Sequence, residues 1–204
     1  MLVQAIMTRD VVTVRETDSL EHAAAVLGRH RFRHLPVVRG DQLVGLLSDR
    51  DLAAATCRPP AERPARVGAV MRAAPIVVSP STPVEQAARL MVEHKIGALP
   101  VVADRLVGIV TASDLLLAFC RVLGVSEPST HLEVRLDDAP DALARLAGVL
   151  RDHRVAVARI VTEPSPDGQA RHMVLRLRTI YPNPVLRDLA AAGIAVVGPE
   201  GVRP

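Results

Sequence analysis

At 204 residues, with 49% apolar and 23% charged positions, the chain has the composition of a soluble globular protein with room for one or two domains. Net charge is only +3 and the basic residues, nearly all arginine, are scattered; Phe32, Phe119 and Tyr181 are the only Phe, Tyr or Trp, so neither a nucleic-acid stripe nor a stacking platform is present. No apolar run approaches a membrane span, residues 1–6 lack the pattern of a signal peptide, and Cys57 and Cys120 stand far apart, so the expectation is a cytoplasmic protein that meets neither nucleic acid nor membrane.

In chain order, the first element is a short β-rich run, Val11-Val12-Thr13-Val14. Asp18-Ser19-Leu20-Glu21 then supplies a helix N-cap with an acidic residue three positions on, and Leu20, Ala23, Ala24 and Leu27 recur as one buried stripe. Residues 35–38 and 43–47 pair as a hairpin around Arg39-Gly40-Asp41-Gln42, and a second helix runs from Asp51 to about Ala55. Pro59, Pro60 and Pro64 make the next stretch a linker that cannot be helical inside. The same order then returns. Ile76-Val77-Val78 is a strand, and Thr82-Pro83-Val84-Glu85 opens a helix with proline at its first position and Val84, Ala87, Ala88 and Met91 as its stripe. Residues 99–102 and 106–110 form a hairpin, and a helix follows from Asp114 to about Val122.

The return is an internal repeat at residue level. Ile6-Met7-Thr8, His30, Leu35-Pro36-Val37-Val38, Leu43-Val44-Gly45 and Ser48-Asp49-Arg50-Asp51-Leu52 reappear as Val70-Met71-Arg72, His94, Leu99-Pro100-Val101-Val102, Leu106-Val107-Gly108 and Thr111-Ala112-Ser113-Asp114-Leu115. Two copies of this length are a duplicated half-domain, not a solenoid. Paired halves enclose clefts, and ligands bind in clefts.

The densest motif is Gly-x-x-Ser/Thr-x-x-Asp, once as Gly45…Ser48…Asp51 and once as Gly108…Thr111…Asp114. It falls where a strand hands over to a helix N-terminus, whose free amides and dipole favour an anion such as phosphate. There a hydroxyl donates to a phosphate oxygen, and a carboxylate one turn on accepts from the two vicinal hydroxyls of a ribose. A plain helix cap is the competing reading, since Ser/Thr-x-x-Asp is nearly a capping box.

Residues 3–122 resemble a tandem pair of cystathionine-β-synthase (CBS) domains, a Bateman module, in both signatures and both Leu-Pro-Val-Val strands. The resemblance implies two clefts related by pseudo-twofold symmetry, each taking adenosine-containing ligands. One would contain Thr111, Ser113 and Asp114 with Thr8, Val12, Phe32 and Arg33; the other Ser48, Arg50 and Asp51 with Arg72, Ile76, Ile96 and Gly97. By the same resemblance the aspartates hold ribose, the apolar positions hold adenine, and Arg33, His34, Arg50 and Arg72 are candidates for phosphate. His34 corresponds to Ala98 in the second copy, so the clefts are unequal.

After a break at residues 124–129 the pattern changes. Residues 131–136 alternate like a strand, 140–153 form an amphipathic helix, and 155–162 and 171–179 are strands around Pro164-Ser165-Pro166-Asp167-Gly168. A helix over 184–192 stops at Gly193, before a last strand at 194–197. This order, βαββαβ, is that of a ferredoxin-like half-sandwich. The stretch from Leu132 through Pro140-Asp141-Ala142-Leu143 resembles the opening of an ACT domain, with Asp141 where that pattern has glycine. Asp141 adds a side chain and a like charge where a ligand carboxylate needs close backbone approach, so dimerisation through paired sheets is expected there ahead of amino-acid binding, which stays the alternative.

The expected architecture is therefore α+β, with CBS-like repeats at 1–58 and 66–123 and an ACT-like domain at 130–204. The CBS–CBS–ACT order is similar to acetoin-utilisation-type regulatory proteins. No catalytic set is proposed, because nothing brings Ser, His, Cys and Asp together, and the seven histidines fall on separate elements or faces, so no metal site is expected. The function expected is a regulatory, ligand-sensing homodimer that needs no cofactor, binds an adenine nucleotide as its ligand and acts on an unidentified protein. The alternative is a dimerisation scaffold whose signatures only cap helices.

Overall fold

A computed structural model describes residues 1–125, 128–164, 170–179 and 181–198, so the expected turn at 165–168 and part of the break near residue 126 lie outside the described residues. The chain divides into two compact units, Met1–Ala118 and Phe119–Pro204. Among the described residues no helix is long and apolar enough to cross a membrane.

In the first repeat, β1 (Val14–Arg15) is followed by α1 (Leu20–His30), β2 (His34–Arg39), β3 (Gln42–Ser48) and α2 (Asp49–Thr56). Ser19 caps α1 by accepting from the amide of His22, at 3.1 Å. The α1 stripe Leu20, Ala23 and Leu27 is buried against Leu35 and Val37 of β2 and Leu47 of β3. Gly40, at φ +59, turns β2 back into β3. The second repeat comprises β4 (Arg72–Ala73), α3 (Val84–His94), β5 (Ala98–Val102), β6 (Leu106–Thr111) and α4 (Ala112–Val122).

Three expectations are corrected. The first strand of repeat one covers only Val14–Arg15, and Ile76-Val77-Val78 contributes a single bridge, Val78 to Val101. Pro75 and Pro80 flank that run and lack the N–H that a longer ladder would need. The closing helices of both repeats start two residues early, at Asp49 and Ala112, because the signature Ser or Thr stands at the cap position. Residue 83 is the N-cap of α3 and not its first helical residue, while Thr82 accepts from the amide of Ser79.

Each repeat lends its leading segment to the other. β4 pairs with β3 of repeat one, Gly45 opposite Ala73 and Leu46 opposite Arg72. Thr8 makes the matching exchange with Ile109, amide to carbonyl in both directions at 2.9 and 3.0 Å. Further out, the amide of Val3 donates to Thr82 O and that of Val67 to Asp18 O, each at 2.9 Å. Val67, Val70 and Met71 accordingly belong to the apolar core of repeat one. The sheet of four strands ordered β1-β2-β3-β4 is thus built from both copies.

The second unit comprises β7 (Thr130–Asp137), α5 (Ala142–Asp152), β8 (Val157–Pro164), β9 (Ala170–Leu177), α6 (Asn183–Ala191) and β10 (Ala195–Gly198). Its antiparallel sheet has the order β10-β7-β9-β8. Leu132, Val134 and Leu136 of β7 and Leu175 and Leu177 of β9 bury against Leu146 and Leu150 of α5 and Leu186 and Leu189 of α6. Gly193, at φ +75, ends α6.

Candidate functional site

The two signatures fold into the same local structure. Asp51 Oδ2 accepts from the amide of Ser48 at 2.9 Å and from its hydroxyl at 2.6 Å, while Ser48 Oγ accepts from the amide of Asp51 at 3.2 Å. In repeat two, Asp114 Oδ2 accepts from the amide and hydroxyl of Thr111 at 2.8 and 2.7 Å, and Thr111 Oγ1 accepts from the amide of Asp114 at 3.3 Å. Both are capping boxes. The hydroxyl protons of Ser48 and Thr111 are committed to the carboxylates, so these hydroxyls have no proton to give a phosphate, contrary to the sequence expectation. Every described bond to either aspartate side chain ends on Oδ2, so neither Oδ1 has a partner among the described residues, and each aspartate lines a cavity.

The cavities lie between the repeats. One, of about 260 Å³, brings Thr111, Ser113 and Asp114 of repeat two together with Thr8, Val12, Phe32, Arg33 and His34 of repeat one. Phe32 is stacked on His30, ring centres 5.1 Å apart, which fixes the orientation of its ring. The other, of about 510 Å³, brings Ser48, Arg50 and Asp51 together with Arg72, Ile96 and Gly97, and with Arg33 and His34 again. Ile76 does not line it. Ala74 has φ +46, where its counterpart Asp10 shows no such turn, so the chain takes a different path before Ile76; Leu46 and Met91 are among the apolar residues that do line the cavity.

Several lining residues were not anticipated. Arg31 and Lys95 end α1 and α3 in the left-handed region, at φ 57 and 53, and each lines one cavity. Their equivalence, 64 positions apart, was available in the repeat. Asp10 lines the smaller cavity and Asp49 the larger. Asp49 also caps its own helix, its Oδ1 accepting from the amide of Arg50 at 2.8 Å. Repeat two has Ala112 at that place, so no such carboxylate covers the amide of Ser113.

Charge separates the two cavities. The larger is lined by Arg33, Arg50, Arg72 and Lys95 against Asp49 and Asp51; the smaller by Arg31 and Arg33 against Asp10 and Asp114. His34 is half-buried, and its pKa is lowered first by burial and then by Arg33 and Arg50, partly offset by Asp49 and Asp51. The larger cavity is suited to an anion, and the smaller, with Val12, Phe32 and Ile109 in its wall, to a flat apolar group.

The chain matches the CBS domain family over residues 3–57 and again over 67–121, together more than half of its length. It is similar to the crystal structure of CBSX2 of Arabidopsis thaliana in complex with AMP, with 30% identity, a TM-score of 0.56, and coverage of 59% of this chain and 97% of that one. The crystal structure of a Vibrio cholerae protein assigned to acetoin utilization, AcuB, is 34% identical at TM-score 0.56, covering 64% of this chain and 98% of that one. The inosine-5'-monophosphate dehydrogenase of Korarchaeum cryptofilum is 35% identical over 114 residues, 55% of this chain; the chain spans only 23% of that enzyme. The family match falls on the part of the molecule in which two copies exchange leading segments around two cavities, and the chain belongs to the CBS domain family, carrying the domain in tandem.

Proposed function

We propose that the chain is a regulatory, ligand-sensing protein whose inter-repeat cavities take an adenosine-containing nucleotide of the AMP, ADP or ATP kind. The observation that carries this reading is the pair of half-used carboxylates: Asp51 and Asp114 each line a cavity, with Oδ2 anchoring the helix and no described residue bonded to Oδ1. In this reading each Oδ1 accepts from the vicinal hydroxyls of a ribose. Val12 and Phe32 in one cavity, and Ile96 and Gly97 in the other, hold the adenine. Arg33, His34, Arg50 and Arg72 hold phosphate in the larger cavity, and Ser113 with Arg33 in the smaller. The AMP complex of CBSX2 supports the ligand class. Binding shifts the repeats between two states of different affinity and so alters an interaction with a regulated protein.

Residues 130–204 are, in this proposal, an ACT-like domain with a ferredoxin-like βαββαβ order, following CBS repeats at 1–58 and 66–123. The sheet order β10-β7-β9-β8 supports it. The turn before α5 is held by Arg145, which donates to both carboxylate oxygens of Asp137 at 2.7 Å and to Ala192 O at 3.0 Å, and lies 3.2 Å from Asp141. That filled turn favours a dimerisation role over amino-acid binding.

One observation favours a second reading, a scaffold without ligand: both aspartates already complete capping boxes. Thermal melting with AMP, ATP or S-adenosylmethionine distinguishes the two. A ligand at a hundred times its dissociation constant adds about 2.7 kcal/mol to stability. A rise in melting temperature with any of them supports the sensor, and no rise with any supports the scaffold.

A further inference from the structure

The step Arg33–His34 belongs to both cavities at once. His34 opens β2 directly opposite Ser48, the cap of α2, and its ring reaches across to the second repeat: a Cβ on Gly97 would lie 3.1 Å from His34 Cε1 and 3.4 Å from Nε2. Repeat two has Ala98 in the place of His34, opposite Thr111, so the imidazole has no counterpart across the pseudo-twofold axis. No described residue hydrogen-bonds its ring nitrogens, and the ring lies on a wall shared by two cavities of unequal charge.

We propose that His34 couples phosphate binding in the larger cavity to uptake of a proton, so that this site prefers ligands carrying a phosphate and holds them more tightly as pH falls through the neutral range. The inference rests on the nucleotide reading and adds its regulation. The groups facing the ring set the balance. Asp49 and Asp51 on α2 favour its charged form; Arg50 on the same helix and Arg33 beside it oppose that form. Arg72 of β4 and Lys95 at the end of α3 add further positive charge in the larger cavity. On the side of the smaller cavity, Asp10 and Asp114 stand against Arg31.

Without ligand, burial therefore disfavours the charged imidazole, while Asp49 and Asp51 work against Arg33 and Arg50. A phosphate monoester brings about two negative charges among the same side chains, and an opposite charge within a few ångströms raises a histidine pKa by about one unit or more. Adenosine brings none. The smaller cavity feels the same protonation, since the charged ring would stand in its wall too.

The test follows His34 directly. Its imidazole nitrogens are titrated by NMR between about pH 5.5 and about pH 8, alone and with saturating AMP or adenosine, and His34→Gln assigns the signal. AMP is expected to raise the midpoint by about one unit or more, and adenosine to leave it in place. Calorimetry on the same samples reports AMP affinity in wild type and in His34→Ala, a residue the second repeat already carries at that position. The phosphate of AMP itself titrates near pH ~6, and this contribution cancels in the comparison. Wild type is expected to favour lower pH about tenfold more than the variant does. AMP that binds by calorimetry while the midpoint stays put, or an equal shift with adenosine, overturns the proton coupling and leaves the nucleotide reading standing. Absence of AMP binding at every pH overturns both.

Discussion

The sulfur of Met71 lies against Gly45 of the other repeat so closely that a Cβ at Gly45 would collide with Sδ and stand 2.9 Å from Cγ, with Arg72 O at 3.2 Å. Gly108 stands in the same relation to Met7, with Sδ at 2.7 Å and Thr8 O at 3.1 Å. The glycine that opens each Gly-x-x-Ser/Thr-x-x-Asp signature is thus required by the exchange of leading segments and not by a turn. Neither glycine has a positive φ.

Gly45→Ala and Gly108→Ala are each expected to lower stability by about 1–3 kcal/mol, the usual range for overpacking a filled core. Urea denaturation measures it. Combining Gly45→Ala with Met71→Ala, which removes the colliding sulfur, is expected to cost less than the two single losses together. Strict additivity would show that Met71 is not what excludes the side chain.

Asp51→Ala and Asp114→Ala remove a cap as well as a candidate ligand contact. Without ligand, each is expected to destabilise by about 0.5–2 kcal/mol, as loss of a capping partner does. Asn in place of either aspartate retains an acceptor oxygen and is expected to recover part of that loss. An unchanged melting temperature for both alanine variants would mean that the capping boxes contribute nothing.

Lys95 carries the strain of a left-handed residue in order to stand on the larger cavity. Replacement by glycine relieves that strain, and Lys95→Gly is expected to raise stability by up to about 1 kcal/mol while weakening AMP several-fold. Loss of stability on this substitution would show that the lysine side chain holds the fold and not a ligand.

The pKa of His34 in the folded, ligand-free chain lies below its ordinary value of 6.5, chiefly because burial disfavours the charged ring. The unfolded chain then binds the proton more readily than the folded one. The resulting contribution to stability is present above about pH 6.5 and declines as pH falls below it. His34→Ala is expected to flatten that part of the stability curve, read as melting temperature against pH. A wild-type curve whose stability rises on acidification through this window contradicts the assignment.

Much of this was legible in the residues. Helical stripes such as Leu20, Ala23 and Leu27 announce themselves by spacing, and the doubled signature drew attention to Asp51 and Asp114. The first strands were not legible, because Val14–Arg15 and Arg72–Ala73 are two-residue pairings fixed by partners far along the chain. A local pattern cannot show that Arg72 pairs with Leu46. Arg31 and Lys95 escaped for a related reason: helix ends with a basic residue in place of glycine carry no local sign of a left-handed turn. Ile76 follows from the family resemblance alone, and the left-handed turn at Ala74, absent at the equivalent Asp10, carries the chain away from the matching position.

Acceptance of ribose hydroxyls by the carboxylates of Asp51 and Asp114 is read by calorimetry that compares AMP with its 2',3'-dideoxy analogue. On wild type the analogue is expected to bind about ten- to a hundredfold more weakly, the worth of a hydrogen bond to a charged group. On the Asp51→Ala, Asp114→Ala double variant, the two ligands are expected to bind alike. Equal affinity of the two for the wild-type chain would contradict the claim.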